Sequence, residues 1–361
     1  MPDLSLFAPT TLGPLALRNR IVMAPMTRSR ALEASTPNDL MAEYYAQRAG
    51  AGLIITEGTS PAPNGTGYAR IPGIWSAPQV EGWKKVTQSV HSKGGRIFVQ
   101  LMHTGRVGHP LNLPAGAEVV APSAVALEGE MYTDAKGMQP HPVPRAMNEA
   151  DVRQAIAQYA MASRNAIAAG FDGVELHGAN GYLIEQFLSP HTNQRTDAWG
   201  GSVEKRLSFV LEVANAVTAA IGGARVGIRL SPYGANGGMK PYPEIEETYT
   251  TLVPRLASAG IQYVHLVDHS AMGAPKVPET LKRALRQAWP RTFILAGGFD
   301  RASAEAALRA GWCDLVAFGR QFLANPDLVT RLERGLALNA PDFATFYTPG
   351  PKGYTDYPAA T

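Results

Sequence analysis

The chain has 361 residues, of which 45% are hydrophobic and 17% charged, a composition typical of globular rather than disordered proteins. Its formal net charge of +3 is too small to indicate a nucleic acid or an anionic membrane surface as a partner. The single cysteine, Cys313, excludes an intrachain disulfide. The chain has neither a signal-peptide pattern at its start nor an apolar run of roughly 20 residues. These features predict a cytoplasmic protein that does not enter a membrane.

Three apolar runs in the first third of the chain predict buried strands. They span residues 21–24, 52–56 and 96–101, and each is followed by polar or glycine residues that indicate a turn. Apolar residues at helical spacing predict helices over residues 38–49 and 78–93. Before the first strand, residues 15–17 are expected to form part of a short hairpin.

Residues 104–146 contain many Pro and Gly residues and few periodic signals. A segment of this length without regular elements is usually functional when it occurs inside a compact domain. We therefore expect an insertion after the third strand that forms a lid over the functional site. An amphipathic helix follows over residues 149–169, with Asn148 as its predicted N-terminal cap.

Five further strands alternate with helices in the rest of the chain. The predicted strands span 173–176, 225–230, 263–267, 293–296 and 315–318, and the predicted helices span 182–188, 203–221, 245–259, 280–289 and 302–310, with a last helix after 325. Continuous Val, Ile and Leu runs indicate strands buried on both faces, and therefore a parallel sheet. Eight strand–helix units favour an α/β fold, a (β/α)8 TIM barrel with residues 1–361 as a single domain. No GxGxxG motif follows the first strand, which argues against a dinucleotide-binding fold.

The carboxyl ends of the strands form the active site in a barrel of this kind. Here they supply Thr27, Gly58, Gln100, His177 with Asn180 and Tyr182, Arg229, His269, Gly297 with Gly298, and Gly319 with Arg320. Glycines beside an arginine after the seventh and eighth strands are typical of a phosphate site. These ends contain no carboxylate pair, metal cage or Schiff-base lysine. A planar, phosphate-bearing cofactor that carries out its own chemistry therefore fits best.

A long motif after the fourth strand makes a family resemblance visible. It reads HGANGYLIEQFLSPHTNQRTDAWGGS at 177–202, and shorter motifs include APMTRSRA at 24–31, VQLMHTGR at 99–106, GIRLSP at 227–232 and FGRQFLANPDL at 318–328. Together they span nearly the whole chain, which resembles the Old Yellow Enzyme family of FMN-dependent ene-reductases. The resemblance implies FMN as cofactor and NADPH or NADH as reductant.

The same resemblance implies a reaction and a set of cofactor contacts. The C=C bond of an α,β-unsaturated carbonyl or nitro compound is reduced, with a hydride from flavin N5 to the β-carbon and a tyrosine proton to the α-carbon. Thr27 is expected to contact flavin O4, Gln100 the pyrimidine edge, and Arg229 the N1 and O2 region where negative charge gathers in reduced flavin. The full expected set is Ala24, Pro25, Met26, Thr27, Gly58, Gln100, Arg229, Gly297, Gly298, Gly319 and Arg320.

The resemblance also assigns the catalytic and substrate-binding residues. His177 and Asn180 are expected to donate hydrogen bonds to the substrate's oxygen, and Tyr182 to supply the proton. The expected substrate contacts are these three residues with Met102, Tyr68, His269 and Tyr347. The substrate classes implied are enones, nitroalkenes, maleimides, nitrate esters and nitroaromatics.

Two positions distinguish this chain within the family. Met102 stands where relatives often carry Trp, which predicts a more deformable wall and a different substrate scope. Thr27 indicates the branch that resembles N-ethylmaleimide and pentaerythritol tetranitrate reductases, whose members are often monomers.

Three alternatives remain open at this point. A non-redox barrel isomerase or lyase on a phosphorylated substrate would use the same Gly/Arg site, but it needs a carboxylate or a lysine at a strand end. An iron–sulfur flavoprotein needs more than one cysteine. A protein that binds FMN without turnover has no use for His177, Asn180 and Tyr182 together.

Overall fold

Eight runs of aliphatic and β-branched residues form the strands of a closed, parallel barrel. The computed structural model describes residues 5–360. Numbered along the chain, the barrel strands are β1 (Ile21–Met23), β2 (Leu53–Thr59), β3 (Ile97–Leu101), β4 (Gly173–Gly178), β5 (Val226–Leu230), β6 (Tyr263–Val267), β7 (Thr292–Ala296) and β8 (Leu315–Phe318). Each strand pairs with its neighbours in sequence, and β8 pairs with β1, so the predicted (β/α)8 barrel is confirmed.

Helices follow the strands along the chain. They are α1 (Asp39–Gln47), α2 (Ala77–Ser92), α3 (Glu149–Ala168), α4 (Leu183–Leu188), α5 (Val203–Ile221), α6 (Ile245–Ser258), α7 (Glu279–Ala288), α8 (Arg301–Arg309), α9 (Arg320–Ala324) and α10 (Leu328–Arg334). The side chain of Asn148 accepts a hydrogen bond from the Asp151 backbone N–H, so the predicted cap of α3 is confirmed. Within residues 5–360, no helix combines the length and hydropathy that crossing a membrane requires.

The end of β4 differs from the boundary that the sequence suggests. The apolar run predicts that this strand ends at residue 176, but the strand continues through His177 and Gly178. These two residues pair with β5, with His177 opposite Arg229 and Gly178 opposite Leu230. Because this pairing keeps the backbone extended, the turn starts two residues later. Tyr182 then caps α4 instead of belonging to it.

Apolar side chains pack on both faces of the strands, because successive residues point to opposite sides. Ile21 and Met23 of β1 belong to the larger core, which also contains the apolar faces of the helices. Val22 belongs to a smaller core inside the barrel, together with Phe98 of β3 and Ile294 of β7. Apolar side chains therefore fill the barrel interior, and the functional residues lie beyond them at the carboxyl ends of the strands.

The insertion between β3 and α3 contains short strands of its own. Val120–Ala121 pairs with Arg145–Ala146, and Glu130–Thr133 forms a hairpin with Gly137–Pro140. Arg70 ties this hairpin to the barrel loops through an ion pair with Asp134 and a hydrogen bond to the Tyr347 backbone oxygen. A lid formed by residues 104–146 stays a prediction.

The hairpin expected near the N-terminus is confirmed. Thr10–Leu12 pairs antiparallel with Leu15–Leu17, and Leu12 and Leu17 are buried in the smaller core. The apolar residues of this hairpin therefore extend the packing of the barrel interior.

Candidate active site

A cavity of ≈ 690 Å³ opens at the carboxyl ends of the barrel strands, a volume within the usual range for small-molecule sites. Every residue that the sequence assigns to cofactor, substrate or catalysis lies in its wall. These residues are Ala24, Pro25, Met26, Thr27, Gly58, Tyr68, Gln100, Met102, His177, Asn180, Tyr182, Arg229, His269, Gly297, Gly298, Gly319, Arg320 and Tyr347. The fold thus brings the whole set together, while the role of each residue stays a prediction.

Two glycines after β7 and an arginine after β8 form one end of the cavity. Gly297 has a φ of 144° and Gly298 a φ of 71°, conformations that residues with a Cβ rarely adopt. A Cβ on Gly297 would lie 2.5 Å from the Asp268 backbone oxygen, so only glycine leaves this turn unstrained. Arg320 is exposed, and it has no hydrogen-bond or ion-pair partner in the described part of the chain. A phosphate group could approach the backbone of these glycines closely and pair with the guanidinium of Arg320.

A fully buried carboxylate holds Gln100 in place. Glu175 accepts hydrogen bonds from Gln100 Nε2 at 2.8 Å and from the Tyr263 hydroxyl at 3.1 Å, and it pairs with His265 Nδ1 at 2.9 Å. Burial lowers the pKa of His265, although the negative charge of Glu175 opposes this shift. Because Glu175 engages the Gln100 amide nitrogen, the amide oxygen and the second N–H remain available to a molecule in the cavity.

Arg229 and His177 bring unpartnered polar atoms to the cavity wall. Arg229 is only 7% exposed, yet its guanidinium forms no hydrogen bond to any residue between 5 and 360. Burial lowers the pKa of His177 well below its ordinary value, and the charge of Arg229 adds to this shift, so the imidazole is neutral at pH 7. The buried Nδ1 of His177 also lacks a partner. An unpaired buried cation is costly, so these two side chains fit a bound molecule that carries acceptor atoms.

Asn180 occupies a left-handed turn directly after β4. Its φ is 60°, and Gly181 follows with a φ of 77°. The Asn180 backbone N–H donates to Ser231 Oγ at 2.9 Å, and the Gly181 N–H donates to Glu185 at 2.6 Å. Glu185 also accepts from the hydroxyls of Ser231 and Tyr249, both at 3.0 Å. A buried carboxyl group therefore fixes the turn that points Asn180 at the cavity.

Tyr182 and Tyr68 form a hydrogen-bonded pair in the cavity wall. Their hydroxyl oxygens lie 3.1 Å apart, and the Tyr182 ring packs edge-on against His177 with 4.8 Å between centroids. Burial raises the pKa of Tyr182, while the hydrogen bond with Tyr68 lowers it. Either hydroxyl can donate in this hydrogen bond, and burial and the neighbouring Tyr182 raise the pKa of Tyr68 well above its ordinary value. Both phenols are therefore protonated at neutral pH.

The C-terminal segment contributes Phe346 and Tyr347 to the outer wall. Arg30 donates to the backbone oxygens of Phe346 at 2.7 Å and Thr345 at 2.8 Å. Arg28 donates to the Phe346 oxygen as well, at 3.1 Å. Both arginines follow β1. Their hydrogen bonds therefore attach the C-terminal segment to the loop after this strand, beside the cavity. Tyr347 is 61% exposed, which places it at the mouth.

The sequence analysis misses several members of this site. Glu175 and His265 each stand as a polar residue in an apolar strand, within GVELHG and YVHLV. An ionisable residue in a buried strand is a recognisable signal of a functional interior, and it could have identified both. Asn236, Met272 and Phe346 line the cavity from loops and carry no comparable signal.

The chain is similar over nearly its whole length to several known proteins. The model of the NADH:flavin oxidoreductase / NADH oxidase family matches residues 5–339. The chain is 45% identical to chanoclavine-I aldehyde reductase fgaOx3 of Penicillium roqueforti, over 98% of this chain and 95% of the relative. It is 43% identical to a probable flavin mononucleotide-dependent alkene reductase of Leishmania infantum, over 97% and 96%. The structure of an Old Yellow Enzyme homologue from Zymomonas mobilis superposes with a TM-score of 0.93 at 40% identity, over 98% of this chain and 99% of that chain.

Proposed function

Because the chain belongs to the NADH:flavin oxidoreductase / NADH oxidase family, we propose that its cavity binds the substrate's oxygen between His177 and Asn180 and protonates the substrate from Tyr182. The enzyme is an FMN-dependent ene-reductase of the Old Yellow Enzyme type with a nicotinamide as reductant. The observation that carries the proposed roles is the pair of buried, unpartnered groups in the cavity wall, Arg229 and His177.

The residues of the cavity fit FMN from one end to the other. Gly297, Gly298 and Arg320 would hold the phosphate, and Arg229 would pair with the electron-rich pyrimidine edge of the ring system. Gln100, oriented by Glu175, offers both a donor and an acceptor to that edge. When bound, the flavin supplies the hydride that reduces the substrate's β-carbon.

His177 and Asn180 stabilise the negative charge that develops on the substrate's oxygen. The neutral imidazole of His177 donates through its N–H, and Asn180 donates through Nδ2. Donors fixed before the reaction do not have to reorganise during it, and removing one such donor typically costs on the order of 10²–10³ in rate. The left-handed turn at Asn180, held by the bond from its backbone N–H to Ser231, places this side chain in the cavity wall.

Tyr182 donates the proton to the α-carbon. An ordinary tyrosine has a pKa of about 10, and burial raises the pKa of Tyr182 further, so the phenol is protonated at neutral pH. Tyr68 then stabilises the phenolate that remains, because its hydroxyl donates to the Tyr182 oxygen.

The substrate classes proposed are enones, nitroalkenes, maleimides and nitrate esters, which share an oxygen acceptor suited to this pair of donors. The isomerase or lyase alternative is not favoured, because the family acts by flavin chemistry. The structure adds a reason: Asp268, the carboxylate of the described cavity wall, is engaged by the Lys282 ammonium at 2.6 Å.

We further propose a cytoplasmic monomer in which residues 104–146 cover the site. Light scattering during size-exclusion chromatography measures the assembly, and a mass of one chain is expected.

Visible absorption spectroscopy of the purified protein tests the proposed function. The purified protein should show a flavin spectrum that bleaches on anaerobic addition of NADPH or NADH and returns on addition of cyclohexenone. A flavin that bleaches but is not reoxidised by the enone would direct the search to another acceptor. A protein that cannot be reconstituted with FMN would contradict the proposal.

A further inference from the structure

We propose that His269 is a positioning residue that orients the side-chain amide of Asn180, so that Nδ2 of Asn180, and not Oδ1, faces the substrate's oxygen. The inference rests on the role proposed above for Asn180. His269 lies in the cavity wall, and in this inference it affects the reaction by orienting Asn180.

The contact that carries this inference joins His269 Nε2 to Asn180 Oδ1 at 2.6 Å. The same nitrogen lies 3.4 Å from Nδ2 of Asn236, a longer contact in which Nε2 could only accept, so one nitrogen cannot form both hydrogen bonds at once. A ring nitrogen of neutral imidazole is either a donor or an acceptor. As an acceptor, Nε2 would face the lone pairs of the Asn180 oxygen at 2.6 Å, which is repulsive. The short contact therefore assigns the hydrogen to Nε2, which donates to Asn180.

The surroundings of His269 are consistent with a neutral ring that carries one N–H. Burial lowers the pKa of His269 to about 4, and the charge of Arg229 acts in the same direction. The neighbouring carboxylate of Asp268 is engaged by the Ser270 backbone N–H at 2.9 Å and by Lys282 at 2.6 Å. Asp268 therefore has its own partners and does not compete with Asn180 for the His269 N–H.

Backbone contacts alone do not determine which end of the Asn180 amide faces the substrate. Ser231 fixes the backbone N–H of Asn180, but the side-chain amide fits its site in two orientations related by a half-turn. In one orientation Nδ2 donates to the substrate's oxygen, and in the other Oδ1 repels it. The N–H of His269 stabilises the first orientation because it bonds to Oδ1 on the opposite side.

Four variants test the inference: His269→Ala, His269→Gln, Asn180→Ala and the double variant His269→Ala/Asn180→Ala. The reduced enzyme is mixed with cyclohexenone, and the rate of flavin reoxidation is measured. His269→Ala should slow this step on the order of 10-fold, less than the 10²–10³ expected when a donor is removed altogether. His269→Gln should recover most of the loss, because the glutamine Nε2 can donate to Asn180 Oδ1.

The double variant separates positioning from a general structural effect. If His269 acts through Asn180, then His269→Ala should have almost no effect in the Asn180→Ala background, since coupled residues are not additive. The inhibition constant of cyclohexanone, a carbonyl compound without the reducible bond, should rise in His269→Ala and recover in His269→Gln. FMN affinity and reoxidation by dioxygen, measured in the same variants, report general damage to the cavity, because neither needs a donor to the substrate's oxygen.

Three outcomes would overturn the inference while the proposed function stands. They are wild-type rates in His269→Ala, equal losses from His269→Ala with and without Asn180, and no recovery in His269→Gln. A wild-type protein that cannot be reconstituted with FMN would instead overturn the proposed function, and this inference with it.

Discussion

At the scale of the residue, the site keeps its acid–base groups neutral by burial. His177 is neutral at pH 7 because burial and the Arg229 charge lower its pKa. Tyr182 keeps its proton because burial raises its pKa. Both groups thus act as hydrogen donors at neutral pH, and Arg229 is the buried cation beside them. In the proposed arrangement, the positive charge of Arg229 faces the cofactor and the substrate meets neutral donors.

The replacement Tyr182→Phe tests the proton donor. It should slow flavin reoxidation by cyclohexenone by about 10²–10⁴, the usual contribution of a general acid, while FMN stays bound and the nicotinamide still reduces it. Stopped-flow absorbance measures the two half-reactions separately. Tyr132→Phe makes the same chemical change at an exposed tyrosine outside the cavity wall and should leave both rates unchanged. Unaltered reoxidation in Tyr182→Phe would show that another group protonates the substrate.

At the scale of the element, the turn between β4 and α4 depends on a buried carboxyl group. Glu185 lies in α4 and accepts hydrogen bonds from the Gly181 N–H and from the hydroxyls of Ser231 and Tyr249. Burial raises its pKa from an ordinary 4.5 to about 7, and these hydrogen bonds only partly oppose the shift. The folded protein therefore favours the protonated form of Glu185 more than the unfolded chain does.

This shift predicts a pH-dependent stability with a definite sign. Between pH 4.5 and 7 the folded state binds more protons at Glu185 than the unfolded state, so the free energy of unfolding falls as the pH rises. The contribution is fully present below pH 4.5 and is lost as the pH rises through about 7. From pH 5 to pH 8 it should amount to roughly 2–3 kcal/mol, which urea unfolding at each pH measures.

Glu185→Gln is the matched control for this prediction. The amide does not titrate, so the variant should lack the Glu185 part of the pH dependence whatever its absolute stability. Parallel curves for the wild type and Glu185→Gln between pH 5 and 8 would contradict the raised pKa.

At the scale of the whole molecule, the loop after the first barrel strand contacts the C-terminal segment of the chain beside the cavity. Arg30 follows β1, and its guanidinium donates to backbone oxygens of the C-terminal segment, including Thr345, Phe346 and Lys352. Burial and the nearby charge of Arg28 lower its pKa to about 10, so Arg30 is charged at neutral pH. One side chain thereby fixes the segment that carries Tyr347.

Replacing Arg30 with Met should loosen that segment without unfolding the barrel. The variant removes a donor from the buried backbone oxygens of Arg28 and Thr345, and a buried carbonyl left unpaired costs about 1–3 kcal/mol. Hydrogen exchange of residues 345–354 should become faster, while the barrel strands keep their protection. Arg164→Met, an exposed arginine of α3 outside the cavity wall, should leave the exchange unchanged. Uniformly faster exchange in Arg30→Met would show instead that Arg30 stabilises the whole fold.

The sequence by itself determined the architecture and the residues that the strand ends contribute to the site. Eight apolar runs predicted eight parallel strands, because burial on both faces leaves a strong local signal. The barrel then places the end of each strand at one rim, so residues as distant as Thr27 and Arg320 were predicted to share a cavity, as the structure shows. The family resemblance extended this prediction to Tyr68 and Tyr347, which the structure also places in the cavity wall.

Only the tertiary structure decided how these side chains are held. The contacts of Gln100 with Glu175, Asn180 with His269, and Tyr182 with Tyr68 join residues that are 75, 89 and 114 positions apart. No local pattern encodes such pairs, because they depend on strand register and on how loops fold over the rim. Long-range pairing also explains why β4 continues through His177 and Gly178, beyond its apolar run. These two residues belong to the strand because they pair with β5, and not because they are hydrophobic. Local sequence therefore specified which groups reach the site, and long-range packing specified their partners and the protonation states of those that titrate.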